Sequence, residues 1–173
     1  MKDLVRQKLS IHVEIMDLLN KQIEKEAHSS SAYLAMASWC DHNGLSYSAK
    51  FFYEQSSEER EHMLKIFRFI NNNGGTAYSP EVNNIEHDFN SLQEIFEVAL
   101  DQEITITKSI HNIVYKCRKV QDLNTENFLQ WFVNEQTEEE QTMRKALELF
   151  DLMGTEGLAL KFIDERIPQI REY

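Results

Sequence analysis

Four stretches of this chain carry a glutamate in the middle of an otherwise apolar helical stripe, and this conflict limits what the chain can fold into. The first stripe reads Leu19, Ile23, Glu26, Ser30, Tyr33, Ala37, and the second Phe52, Gln55, Glu59, His62, Ile66, Phe69. The third reads Phe96, Ala99, Glu103, Ile106, Ile110, Ile113, and the fourth Leu129, Phe132, Gln136, Glu139, Met143, Ala146, Phe150. Each advances by alternating threes and fours, which traces one face of an α-helix. Such a face packs into a core and carries its glutamate with it. An unpaired ion there costs several kcal/mol even after relaxation. Carboxylates on all four stripes, with His62 alone for company, repel one another. They need a positive partner, and a pair of divalent metal ions is the simplest one.

Helix limits follow from caps and breakers. The first helix is expected from about Ser10, as N-cap, to about Asp41, where His42-Asn43-Gly44 stops it. The second is expected from about Ser46, a candidate cap, to about Asn72. The third starts at Ser91, where Ser91-Leu92-Gln93-Glu94 has the capping-box pattern, and continues to about Lys119. The fourth starts near Asn124 or Thr125 and ends before Gly154. A shorter fifth helix, capped by Thr155, is expected to run to about Ile167, beside Pro168.

Connections between the long helices are short except one. The segment from about Gly74 to Asn90 is long and polar. A connection of this length crosses a bundle, so the second and third helices are expected to run parallel. The reading is all-α: a four-helix bundle with one long crossover and a short C-terminal helix, the ferritin-like arrangement. Glu26, Glu59, Glu103 and Glu139 each lie about halfway along their helix. Bundle helices share a midplane whichever way they run, so the four carboxylates converge at one depth.

His62 follows Glu59 by three residues and shares its face. Oxygen ligands with one imidazole suit iron or manganese better than a soft metal. Four carboxylates also balance two divalent ions. Gln136, three before Glu139, puts an amide where a carboxylate would ligate more strongly. The expectation is a tighter site at Glu26, Glu59 and His62, and a looser one at Glu59, Glu103 and Glu139, with Glu59 bridging. A loose second site suits an iron that leaves after oxidation. Tyr33, seven residues after Glu26, is placed to hydrogen-bond a ligand carboxylate or to supply an electron. Trp131 is read as core packing. Glu58, Glu135 and Glu138 lie beside the ligand face and make a candidate third, more exposed cation site.

The 173 residues suit one domain, 1–173, and a hydrophobic content of 42% fills one core. The net charge of -11 argues against nucleic acid and against an anionic membrane surface. No apolar stretch reaches the roughly 18 residues that a membrane span needs. The opening MKDLVRQKLS has no signal-peptide pattern. Cys40 and Cys117 form no disulfide framework and read as small core residues, which fits a reducing, cytoplasmic setting.

Three segments together resemble the non-haem ferritins, the bacterial type above all. They are QIEKEAHSSSAYLAMASWC at Gln22 to Cys40, EEREH at Glu58 to His62, and FLQWFVNEQTEEE at Phe128 to Glu140. The resemblance implies a ferroxidase centre on Glu26, Glu59, His62, Glu103, Gln136 and Glu139, with Tyr33 beside it. It implies a third iron site on Glu58, Glu135 and Glu138, sharing Glu139. It implies a hollow 24-subunit homo-oligomer that takes up ferrous iron, oxidises it with oxygen or hydrogen peroxide and stores ferric mineral. The terminal helix would line four-fold axes, and Glu126 is a candidate for a three-fold pore. Haem is not expected, because the fourth helix has Gln136-Thr137-Glu138-Glu139 in place of a second Glu-x-x-His. The alternative within the same ligand set is a di-iron oxidase or peroxidase that stores little iron. A metal-buffering bundle without redox chemistry is a third reading.

Overall fold

Apolar residues at intervals of three and four fold this chain into α1 (Val13–His42), α2 (Ser46–Asn72), α3 (Leu92–Val120), α4 (Leu123–Met153) and α5 (Leu158–Arg166). A 3-10 turn, Ile167–Gln169, follows. The computed structural model describes Val5 and residues 8–171, and these include no strand. Most of the opening segment scanned above for a leader, residues 1–4 and 6–7, lies outside the described residues, as do residues 172–173 of the 1–173 domain. No described helix is long and apolar enough to cross a membrane.

The crossover, residues 73–91, behaves as its length demands. Near its start, Asn20 of α1 donates to the Thr76 carbonyl at 3.2 Å and accepts from Tyr78 N–H at 2.9 Å. Near its end, Phe89 meets Trp39 edge to face at 6.3 Å. From Asn20 to Trp39 is about 28 Å of helix axis. The segment therefore runs the length of α1, and α3 starts at the end of the bundle where α2 starts. The two run parallel. Gly75 opens the crossover because a Cβ there would lie 2.8 Å from Met16 Sδ and 2.9 Å from Ile70 Cγ2.

Helix ends differ from expectation where tertiary partners replace local caps. Ser10 is not the cap of α1. His12 is, with no side-chain cap bond, and Ser10 N–H instead donates to the Asn73 carbonyl at 3.0 Å. Ser46 is the first residue of α2, not its cap. The first amides of the helix, which have no intrahelical acceptor, are met by Asp164 of α5, which accepts from Ser48 N–H at 2.8 Å and Tyr47 N–H at 3.4 Å. Ser91 caps α3 as expected, accepting from Glu94 N–H at 3.1 Å. The Glu94 carboxylate closes the box on Asn90 N–H, one residue before the cap. Asp122 caps α4 by accepting from Thr125 N–H at 3.0 Å, so that helix starts slightly earlier than expected. Thr155 does not cap α5. The chain passes Gly154 and Gly157 at φ 83° and 62°, left-handed conformations that glycine adopts freely, and the helix begins at Leu158.

The core is in two parts. One cluster, with Phe51, Phe52, Phe96 and Phe150, extends to Ile163 and Ile167 beneath α5. The other, with Ile15, Leu19, Ile23, Ile66 and Ile110, fills the opposite end. Cys40 belongs to the first cluster and Cys117 to the second; both are buried and free, and burial pushes each thiol up to about 12. A layer of buried polar side chains separates the clusters: Gln22, Glu26, Gln55, Glu59, His62, Glu103, Gln136 and Glu139.

Candidate metal centre

The four stripe glutamates are all buried, none more than 5% exposed. α1 supplies Glu26, α2 supplies Glu59 and His62, α3 supplies Glu103, and α4 supplies Gln136 and Glu139. Glu26, Glu59 and His62 each offer one ligand atom within 4.8 Å of the other two. Glu26 Oε2, Glu59 Oε1 and His62 Nδ1 are buried without a hydrogen-bond partner. Buried polar atoms are nearly always paired, so three residues that lie within ligating reach of one another, each with an unpaired buried atom, suit a bound cation. His62 Nδ1 stands 3.6 Å from Glu59 Oε2.

The remaining members of the layer are tied by hydrogen bonds. Gln22 Nε2 donates to Glu26 Oε1 at 2.7 Å. The Tyr33 hydroxyl donates to Glu103 Oε1, and Gln136 Nε2 donates to Glu103 Oε2 at 2.9 Å. Gln55 Nε2 donates to Glu139 Oε2 at 3.0 Å. Glu103 is therefore held on both oxygens, and it joins neither of the two ligand groups found among the described residues. The second of these groups is His62, Glu135 and Glu139, with His62 Nε2 3.9 Å from Glu135 Oε1. His62 takes part in both groups.

Electrostatics fit a site waiting for positive charge. Burial, and then the charge of Glu59, pushes Glu26 well above the usual carboxylate range. Burial, and then Glu103, does the same to Glu59. Glu103 is raised by burial, against the lowering effect of its Tyr33 and Gln136 donors. Burial, and then Glu103, lifts Glu139 to about 7. Burial and the Glu103 charge also raise Tyr33. A divalent ion reverses these preferences by stabilising the ionised carboxylates.

Glu58, Glu135 and Glu138 line one cavity of about 350 Å³ together with Glu139, Thr142, Lys145 and Arg171. Glu58 is not free there, because Arg171 binds both its oxygens, at 2.7 and 2.6 Å. Trp131 is not core packing. It is 37% exposed, stands edge-on to His62 at 5.3 Å, and carries Lys65 Nζ 3.4 Å above its ring. It walls an open cavity of about 590 Å³ that reaches His62 between α2 and α4. Glu126 is paired with Arg118 at 2.7 Å. The roles of Gln22, Gln55 and Arg171 were not anticipated. Gln22 precedes Glu26 by four residues and Gln55 precedes Glu59 by four, so both were accessible from helical spacing. Nothing in the sequence places Arg171.

A ferritin-like domain model matches residues 16–153. A bacterial non-heme ferritin of Campylobacter jejuni is 38% identical over 91% of this chain and 94% of its own. One from Escherichia coli is 33% identical over 89% of this chain and 93% of its own. Among solved structures, an open-pore ferritin from the hyperthermophilic archaeon Archaeoglobus fulgidus superposes with a TM-score of 0.88 at 35% identity, covering 91% of this chain and 96% of that one.

Proposed function

This chain belongs to the ferritin family, and from that premise we propose that it stores iron, oxidising Fe(II) to Fe(III) within each subunit before the ferric product is mineralised. The convergence of Glu26, Glu59 and His62, each buried and each with an unpaired side-chain atom, carries this reading. Ferrous iron is the substrate. One ion is held by Glu26, Glu59 and His62. The second is held on the α4 side by Glu59 and Glu139, and by Glu103 once it exchanges a hydrogen bond for the metal. Gln136 orients Glu103 and does not compete for it. Two ferrous ions surrender one electron each, so a pair reduces oxygen to hydrogen peroxide, or peroxide to water. The metals are the redox centres, and the chain fixes their spacing and charge. Tyr33 holds Glu103 through its hydroxyl.

Glu58, Glu135 and Glu138 give the product a carboxylate-lined way out of the centre. The working form is proposed to be a homo-oligomeric shell of 24 subunits, each a single domain spanning 1–173. Free buried Cys40 and Cys117 support a reducing, cytoplasmic setting. No haem, membrane or nucleic acid enters the proposal.

The test is aerobic loading of the purified protein with excess ferrous iron, followed by iron analysis of the high-mass fraction. Tens or more of irons per subunit are expected. A plateau near two would replace storage with a di-iron oxidase that retains its metals. No bound iron would remove the centre itself.

A further inference from the structure

The acidic cavity beside the centre is lined by two cationic side chains, Lys145 and Arg171, and Arg171 is the one that grips Glu58. Arg171 Nη1 donates to Glu58 Oε1 at 2.7 Å and Nη2 to Glu58 Oε2 at 2.6 Å. This is the bidentate fork in which a guanidinium matches both oxygens of a carboxylate. Nη2 also donates to Gln55 Oε1. Gln55 is fully buried and spends its amide hydrogen on Glu139 Oε2 at 3.0 Å. One chain of polar contacts thus runs from Glu58 through Arg171 and Gln55 to Glu139. It joins the cavity to the buried carboxylate layer.

The arginine is placed there by the fold. Ile167 and Ile170 are buried just before it, and Lys145 of α4 donates to the Ile170 carbonyl at 3.3 Å. The guanidinium carbon lies 5.3 Å from the Phe51 ring. Arg171 is itself exposed, and these contacts hold its head group against Glu58, Gln55 and Phe51.

We propose that Arg171 is the resident counter-ion of Glu58 in this cavity and competes with a third metal ion for that carboxylate. This rests on the metal-centre reading above. While Glu58 is locked in the fork, only Glu135, Glu138 and Glu139 are left to hold an ion. An incoming ion must displace the guanidinium to gain Glu58 as a ligand. Occupancy of the third position is therefore kept low. Release of Arg171 also frees Gln55, which is the partner of Glu139.

Anaerobic calorimetric titration of the assembled, metal-free protein with Zn(II) tests this. Wild type is expected to bind two ions per subunit tightly and a third weakly. Arg171→Gln is expected to tighten the third about two- to fivefold, the scale of one exposed charge pair, and to leave the ion at Glu26, Glu59 and His62 unchanged. Arg171→Lys keeps the charge but loses the fork, so it falls between them. Tight binding of the first two ions in each variant shows that it has folded. An unchanged third affinity in Arg171→Gln, with the first two intact, overturns the proposal and leaves the centre standing. If no variant binds the first pair, the centre reading fails and the proposal fails with it. A crystal structure of the zinc-saturated wild type supplies a second readout. Arg171 swung away from Glu58 is expected; a third ion bound with the fork intact would overturn the idea.

Discussion

Tyr33 on α1 donates its hydroxyl to Glu103 on α3, joining two helices across the buried polar layer. The tyrosine is fully buried, and its ring stacks on Phe52 at 5.9 Å with an interplanar angle of 22°. One end of the side chain belongs to the apolar cluster and the other to the metal centre. The packing that stabilises this half of the bundle therefore also sets the orientation of a carboxylate in the centre.

Replacing Tyr33 by Phe separates these two roles. The ring stays and Glu103 loses one donor. A buried acceptor left short costs about 1–3 kcal/mol. Denaturant unfolding of the metal-free protein is expected to show a loss in that range. Tyr33→Ala also empties the ring site and is expected to cost more, about 3–5 kcal/mol. Equal unfolding midpoints for Tyr33→Phe and wild type would show that the hydroxyl contributes no net stability.

Asp164 gives a prediction at the other end of the molecule. It accepts from Ser48 and Tyr47 N–H at the start of α2, where the N-cap residue Leu45 offers no side-chain bond. Its charge also faces the positive end of the helix dipole. Asp164→Ala is expected to cost about 0.5–2 kcal/mol, with Asp164→Asn losing less because an acceptor remains. Amide hydrogen exchange should localise the effect. Ser48 is expected to lose protection first, together with the amides of α5. Uniform loss across α2 would point to a different role.

The centre was legible in the sequence because helical periodicity is a strong signal and a charged residue inside it conflicts with burial. The buried layer contains Glu26, Glu59, His62, Glu103, Gln136 and Glu139 as the spacing predicts. The α2 cap was not legible, since Asp164 lies 116 residues from Ser48 and no local pattern joins them. The reading of Trp131 as core packing failed because the residue lies off the apolar stripe of α4, which passes through Leu129 and Phe132. Successive helix residues point about 100° apart. Phe132 therefore enters the core at 1% exposure, while Trp131 turns outward at 37%. Ligand grouping within the layer was hidden for another reason. Spacing brings Glu103 to the right depth, but its rotamer is set by Tyr33 and Gln136, which come from other helices.

The pH dependence of the metal-free protein has a definite sign. Glu26, Glu59, Glu103 and Glu139 are all raised in the fold, Glu139 to about 7. An unfolded glutamate titrates near about 4.3. A raised carboxylate binds its proton more tightly when folded, so its stabilising effect is complete below the unfolded value and is lost as pH rises through the folded one. The thermal midpoint of the metal-free protein is therefore expected to fall between about pH 5 and pH 8. Saturating Zn(II) should flatten or reverse that fall, and its binding at pH 6 should release protons to the buffer. A midpoint that rises with pH in the metal-free protein would contradict the burial of these groups in protonated form.

Glu59→Gln turns the same electrostatics into a trade between stability and binding. Glu59 adds negative charge beside Glu26, in a layer that excludes water. An amide of the same shape removes that repulsion and deletes a ligand. At pH 8 the metal-free variant is expected to be more stable than wild type by about 0.5–2 kcal/mol, the usual gain from relieving a functional strain. Its Zn(II) affinity should fall, and its midpoint should depend less on pH. An ordinary core mutation shifts stability the other way. A destabilised Glu59→Gln protein at pH 8 would mean that Glu59 already has a structural partner, and that the charge repulsion invoked here is absent.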